Sequence, residues 1–239
     1  MKARWVLDLA ALVRPGTQTT VEQIQGCFAM HTGKLDWHHD TSNQLRSRVL
    51  YMKWTEWSDA ARRWSGFSPA TPETLAREAL EMLSRFQLLC STNAQVDRAN
   101  AEGIRLLTPE RALKSGNLPH GCPVIIQSNS HALGLTNGDM GIAIGETHGA
   151  AATMAMFPSA EGAPRFIPLA QLPEHKPAFG LTIHKSQGSE WEHIAIELPR
   201  QAEAALLTKN LLYTAITRSS GRIDLSGSEE ALRQIAAPA

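Results

Sequence analysis

Two stretches of the chain carry side chains whose types and spacing suit chemistry on a nucleotide. In Thr182-Ile183-His184-Lys185-Ser186-Gln187-Gly188-Ser189-Glu190-Trp191, Gly188 permits close backbone approach or a positive φ, and Gln187 offers both donor and acceptor. Glu190 can accept hydrogen bonds from a sugar hydroxyl. Open α/β sheets bind ligands at the carboxyl ends of their strands, so the Gln187–Glu190 turn is expected at such an end. The second stretch, Leu212-Tyr213-Thr214-Ala215-Ile216-Thr217-Arg218, ends on a guanidinium, which is always charged and presents a planar donor fork. Taken alone, Ser-Gln-Gly also reads as an ordinary helix-to-strand turn. An arginine near a helix end also reads as a partner for the helix dipole.

The elements that must position these residues belong to a chain of 239 residues, enough for one substantial core plus a satellite. No apolar run approaches the roughly 18 residues a membrane span requires, so a membrane protein is excluded from the reading. The opening Met1 to Ala10 is interrupted by Asp8, and Arg14 follows, where a signal peptide would stay apolar; a cytoplasmic location is expected. Cys27, Cys90 and Cys122 are odd in number and lack a Cys-x-x-Cys pair, which reads as reduced, buried thiols without metal. With 23 basic and 23 acidic side chains the net charge is zero, so any nucleic-acid contact must be local.

The spacing of Leu50, Trp54, Trp57, Ala61 and Trp64 predicts one face of a helix, read as a packed core in preference to a docking face. His31 to Asp40, with its His38-His39 pair, reads as a solvated loop. Pro69, Thr71 and Pro72 break the chain, with Thr71 as a cap for a helix whose Leu75, Ala79, Leu80 and Leu83 share a face. Phe86–Cys90 reads as a buried strand, followed by a helix after Ser91-Thr92-Asn93. Pro123–Gln127 is a further strand, and Gly141–Ile144, Ala152–Phe157 and Arg165–Ile167 form a closely spaced set suggesting a small barrel-like insertion. A helix is expected over Ala178–Ser186, a strand over His193–Leu198, a helix over Ala205–Thr217, a strand over Arg222–Leu225 and a helix from Ser228. The alternation makes the larger fold α/β.

Thr182–Trp191 and Tyr213–Arg218 resemble motifs V and VI of superfamily 1 DNA helicases, most closely those of the RecD type. Asn129 through Gly141 is similar to the RecD pattern before its SH3-like insertion, and Pro168 to Lys176 resembles the exit of that insertion. The resemblance covers residues 85 to 227. It implies a RecA-like second motor lobe over 85–140 and 178–239, an SH3-like insertion over 141–177 and a mainly helical N-terminal region over 1–84.

In these motors two RecA-like lobes sandwich ATP. The resemblance therefore makes Arg218 the arginine that reaches the γ-phosphate, a role whose loss costs roughly 10³ to 10⁵ in rate. It places Gln187, Gly188 and Glu190 toward nucleotide and Thr182 and His184 toward single-stranded DNA, with Asn129 and His131 as further DNA-side candidates. His184 also reads as a packing histidine. The implied partners are single-stranded DNA, a first RecA-like lobe holding most contacts to ATP and Mg2+, and RecB- and RecC-like subunits of an exodeoxyribonuclease V. No Gly-Lys-Ser/Thr phosphate loop occurs in the 239 residues, so hydrolysis by this chain alone is not expected. A non-catalytic DNA- or protein-binding module and the corresponding lobe of a relaxase or Pif-type helicase are the alternatives.

Overall fold

The computed structural model describes residues 2–39, 51–108, 117–159, 162–199 and 206–237; Met1, Asp40, Leu50 and Ala205, which enter the readings above, lie outside them. The chain forms two compact units. No helix among the described residues is long and apolar enough to cross a membrane.

The first unit comprises Met1–Met52, Arg85–Val96 and Leu181–Ala239. Its sheet has five strands: β1 (Leu35–His39), β2 (Phe86–Cys90), β8 (Gly180–Thr182), β9 (Trp191–Glu197) and β10 (Ser219–Gly227), in the order β1-β10-β9-β2-β8. The pairs β1/β10, β10/β9 and β9/β2 are parallel. Because side chains alternate along a strand, Leu35, Ile194, Ile196, Ile223 and Leu225 share a parity, and all five are buried. Helices α1 (Arg4–Leu12) and α2 (Val21–Met30) contact β10 and β1 respectively. Their buried Val6, Leu9, Ile24 and Phe28 supply the facing apolar surface.

Local chemistry starts these helices where they start. Thr20 and Gln23 make a reciprocal capping box at α2, satisfying two otherwise orphaned amides. Ser228 caps the last helix, Glu229–Ala236, whose first turn carries Glu229 and Glu230 at the positive end of its dipole.

The second unit comprises Lys53–Ser84 and Asp97–Gly180. Its five-stranded sheet is built from β3 (Pro123–Ile126), β4 (Met140–Ile144), β5 (Met154–Phe157), β6 (Arg165–Pro168) and β7 (His175–Pro177), in the order β6-β5-β4-β3-β7 with every pair antiparallel. Within it the tryptophan stripe on helix α3 (Tyr51–Arg63) is core: Trp54 packs edge-on against Phe179 at 5.6 Å, and Trp57 donates to the Gly121 carbonyl at 2.7 Å. Helix α5 (Asn93–Leu107) has Gly103 under the Phe179 ring, where a Cβ would come within 2.3 Å of a ring carbon.

Several expectations are corrected. Residues 35–39 are an edge strand rather than a solvated loop, because pairing to β10 and a buried carboxylate satisfy polar groups that look solvent-bound in sequence. Ala178–Ser186 is not helical: β8 joins the sheet and only a single 3₁₀ turn, His184–Ser186, follows. Pro123–Ile126 belongs to the antiparallel sheet, since a fully buried apolar run carries no periodicity that assigns its partner. The contacts divide residues 1–84 between the units rather than keeping them as one region. Helix α4 (Glu73–Glu81) has no side-chain cap; the Thr71 hydroxyl accepts from the Ser68 amide instead, and Leu75 is exposed. The three cysteines are free and buried, as read from their spacing.

Candidate functional site

Trp191 and Ser219 open β9 and β10 and are register partners in a parallel pair. The Ser189–Glu190 turn and Arg218 therefore lie together at the amino edge of these strands, not at a carboxyl edge. The rule for open sheets fails here because the turn enters β9 rather than leaving a strand. A backbone bond from Trp191 N to Arg218 O at 2.9 Å ties the two stretches. The Arg218 guanidinium is partly buried: Nε donates to Thr214 O at 3.2 Å, Nη1 to Ser189 O at 3.4 Å and Nη2 to the Thr217 hydroxyl at 3.2 Å.

Gly188 has φ +89°, and the position of a missing Cβ meets nothing within 4 Å. The turn thus has a left-handed residue with open space beside it. Glu190 is paired with Lys2, whose Nζ lies 2.5 Å from Oε2. The Lys2 hydrogen bond, aided by charge from Lys2 and Arg218, holds the Glu190 carboxyl below the usual carboxylate range.

The other end of the segment lies at the opposite edge. Ile183 N donates to Cys90 O at 3.0 Å, and Cys90 is the register partner of Glu197 at the end of β9. From Glu197 back to Trp191 is roughly 20 Å of strand, so residues 183–190 cross the sheet from its carboxyl to its amino edge. Thr182 accepts from the Lys185 amide at 3.3 Å and closes the 3₁₀ turn. His184 is exposed there, not packed. His184 and Gln187 line a cleft of ≈ 220 Å³ together with Thr208, Asn210 and Thr214 of helix α6 (Lys209–Ile216) and its cap.

Asn129 and His131 belong to the second unit. Asn129 Oδ1 accepts from the Asn137 amide at 2.8 Å, and exposed His131 opens the 3₁₀ turn that ends at Gly134. Asn129 is thus engaged in holding its own loop.

Two groups of the first unit were not anticipated. One is Lys2. The other is Asp224, whose side chain is 0% exposed and accepts from His38 at 2.8 Å, His193 at 2.5 Å and Arg222 Nε at 3.2 Å. Burial alone would raise its pKa, but the bonds from both histidines and the Arg222 charge outweigh it and hold the carboxyl well below its usual range. The alternation Arg222-Ile223-Asp224-Leu225 was the available signal, placing two charges on one sheet face.

The UvrD-like helicase C-terminal domain family matches residues 177–223, the span that holds both stretches. The chain is 32% identical over 161 residues to the RecBCD enzyme subunit RecD of Mycolicibacterium smegmatis, covering 66% of this chain and 28% of that protein. It is 31% identical over 145 residues to the RecBCD enzyme subunit RecD of Haemophilus influenzae, covering 59% and 21%. It is 42% identical over 59 residues to the ATP-dependent RecD2 DNA helicase of Deinococcus radiodurans, covering 25% and 8%. The chain thus spans under a third of the length of these relatives. It is similar to RecD-type superfamily 1 helicases over part of their length, and the match to the UvrD-like helicase C-terminal domain is confined to residues 177–223.

Proposed function

We propose that the chain acts as the second motor lobe of an ATP-dependent DNA helicase, the alpha subunit of an exodeoxyribonuclease V, with Arg218 as its arginine finger. The observation that carries this reading is the joining of Arg218 to the Ser189–Trp191 turn, by Arg218 Nη1 to Ser189 O and Trp191 N to Arg218 O. A charged planar fork is thereby held beside a turn open enough for a ligand to approach backbone.

The residues fit a nucleotide. Gly188 leaves free space where any side chain would stand, and Glu190 has Oε1 without a hydrogen bond among the described residues. ATP, when bound, supplies the phosphoryl group on which charge develops during transfer. Arg218 would stabilise that charge, its donors pre-set by the turn. Glu190 would accept from the ribose, and Gln187 would sense the occupied site from the cleft it shares with His184. Mg2+ and most phosphate contacts are assigned to a first RecA-like lobe of the same protein.

Single-stranded DNA would run past Thr182 and His184; on the second unit, Asn129 and His131 would be DNA-side candidates in their own right. Because residues 183–190 cross the sheet, displacement at the nucleotide end is transmitted to the DNA end through a short, backbone-bonded segment. The antiparallel sheet would be the SH3-like insertion, and RecB- and RecC-like subunits the assembly partners. The reading is tested by Arg218→Ala in the native polypeptide that contains this chain. DNA-stimulated ATP hydrolysis should fall by roughly 10³-fold or more with unchanged unfolding temperature; a near-normal rate would end the assignment.

A further inference from the structure

Lys2 lies far from both signatures in sequence, yet its ammonium touches both. Nζ donates to Glu190 Oε2 at 2.5 Å, to Thr217 O at 2.7 Å and to Ser219 O at 3.0 Å. An ammonium has three protons, so each has an acceptor. The side chain is 27% exposed, and two of its three partners are backbone carbonyls, which sets it apart from a surface ion pair that gains little.

The neighbouring residues continue the same seam. Ala3 N donates to Ser220 O at 2.8 Å and Trp5 Nε1 to Gly221 O at 2.5 Å. Residues 2–5 are thus laced along 217–221, the bend that carries Arg218. The two carbonyls bound by Lys2 are those immediately before and after Arg218. One cation therefore pins the base of the guanidinium from both sides and takes a single oxygen of Glu190, leaving Oε1 for a ligand.

We infer that Lys2 is a positioning residue of the nucleotide site, fixing the Glu190 carboxylate and the Arg218 guanidinium relative to each other. This rests on the reading of Arg218 given above. A charged group must stand within a fraction of an ångström of its working place, since a misplacement of about 1 Å can cost about 10²-fold in rate. The Lys2 node meets that need by tying the two motifs through a third segment.

The test compares Lys2→Met, Lys2→Arg, Glu190→Gln and Lys2→Met/Glu190→Gln in the native polypeptide containing this chain, with Arg218→Ala as reference, using ATP and single-stranded DNA. Lys2→Met should lower kcat/KM for ATP by roughly five- to tenfold, the scale of one partly solvated charge-assisted contact. Lys2→Arg should restore most of it. The double variant should lose less than the product of the single losses, with unfolding temperatures unchanged. Wild-type kinetics in Lys2→Met while Arg218→Ala is inactive would overturn this inference and leave the parent reading intact. Losses that multiply in the double variant, or no rescue by Lys2→Arg, would overturn it too. Activity retained by Arg218→Ala would remove both.

Discussion

The amide of Trp191 donates to the carbonyl of Arg218 at 2.9 Å, so that two stretches separated in sequence are joined where β9 and β10 begin. Each contributes what the other lacks. The first brings an open glycine turn and a carboxylate, the second a cation with its donors arrayed around the same turn. This bond makes the site a property of the sheet edge and not of either stretch.

The DNA-side assignment concerns the opposite edge. His184→Ala should weaken binding of a labelled single strand by about tenfold in fluorescence anisotropy, the scale of one lost stacking contact, with the fold intact by circular dichroism. Thr182→Ser should bind as wild type, because its hydroxyl keeps the bond from the Lys185 amide. Affinity unchanged in His184→Ala would remove this residue from the track.

At Gly188 the cost of a side chain is separable from any clash. With φ +89° and open space, Gly188→Ala should lower unfolding free energy by about 1 kcal/mol through backbone strain alone. Nucleotide affinity should fall further than that, because the methyl group occupies the approach to the turn. Equal binding by the two proteins would show that no ligand comes close there.

Asp224 predicts a stability effect away from the site. Asp224→Asn leaves His38, His193 and Arg222 facing a neutral group, and should cost about 3 kcal/mol in urea unfolding. The sign with pH follows from its depressed folded pKa. The stabilisation is complete above its ordinary value near 3.8 and is lost as pH falls through the lower folded value. Stability of Asp224→Asn should therefore approach that of wild type only in strong acid.

In the second unit, buried His120 contacts the Ala61 carbonyl through Nε2 at 2.6 Å and accepts from the Gly145 amide at Nδ1, which requires the neutral ring. Burial lowers its pKa, against the opposing effect of the Ala61 carbonyl. A depressed histidine adds stability that is present above its ordinary value near 6.5 and lost as pH falls through the folded value. Unfolding free energy should drop between pH 7 and pH 5, and His120→Gln should flatten that slope. A slope unchanged by the substitution would assign the effect elsewhere.

Much of the architecture was legible because its causes are local. Phe86–Cys90 matches β2 residue for residue, and Ser228 opens the last helix with its own hydroxyl. Thr20 with Gln23 caps α2 by an equally local device, although no helix is read there from the sequence. Where cause is remote, pattern reading failed. Nothing in Leu35-Asp36-Trp37-His38-His39 announces a strand until Asp224 stands beside it, and Pro123–Ile126 is equally apolar whichever sheet receives it.

The amino-acid order by itself determined the chemistry on offer: the Gln187-Gly188 turn, the Glu190 carboxylate, the Arg218 guanidinium and the His184 imidazole, together with the α/β alternation that places them in loops. Only the tertiary structure decided which edge of the sheet holds each group, that Lys2 binds both motifs, and that a carboxylate with two histidines lies buried between strands. The physical reason is range. Caps, turns and strand propensity act over a few residues, whereas register, edge and ion-pair partners are settled by parallel pairing between segments far apart in the chain, which no local pattern records.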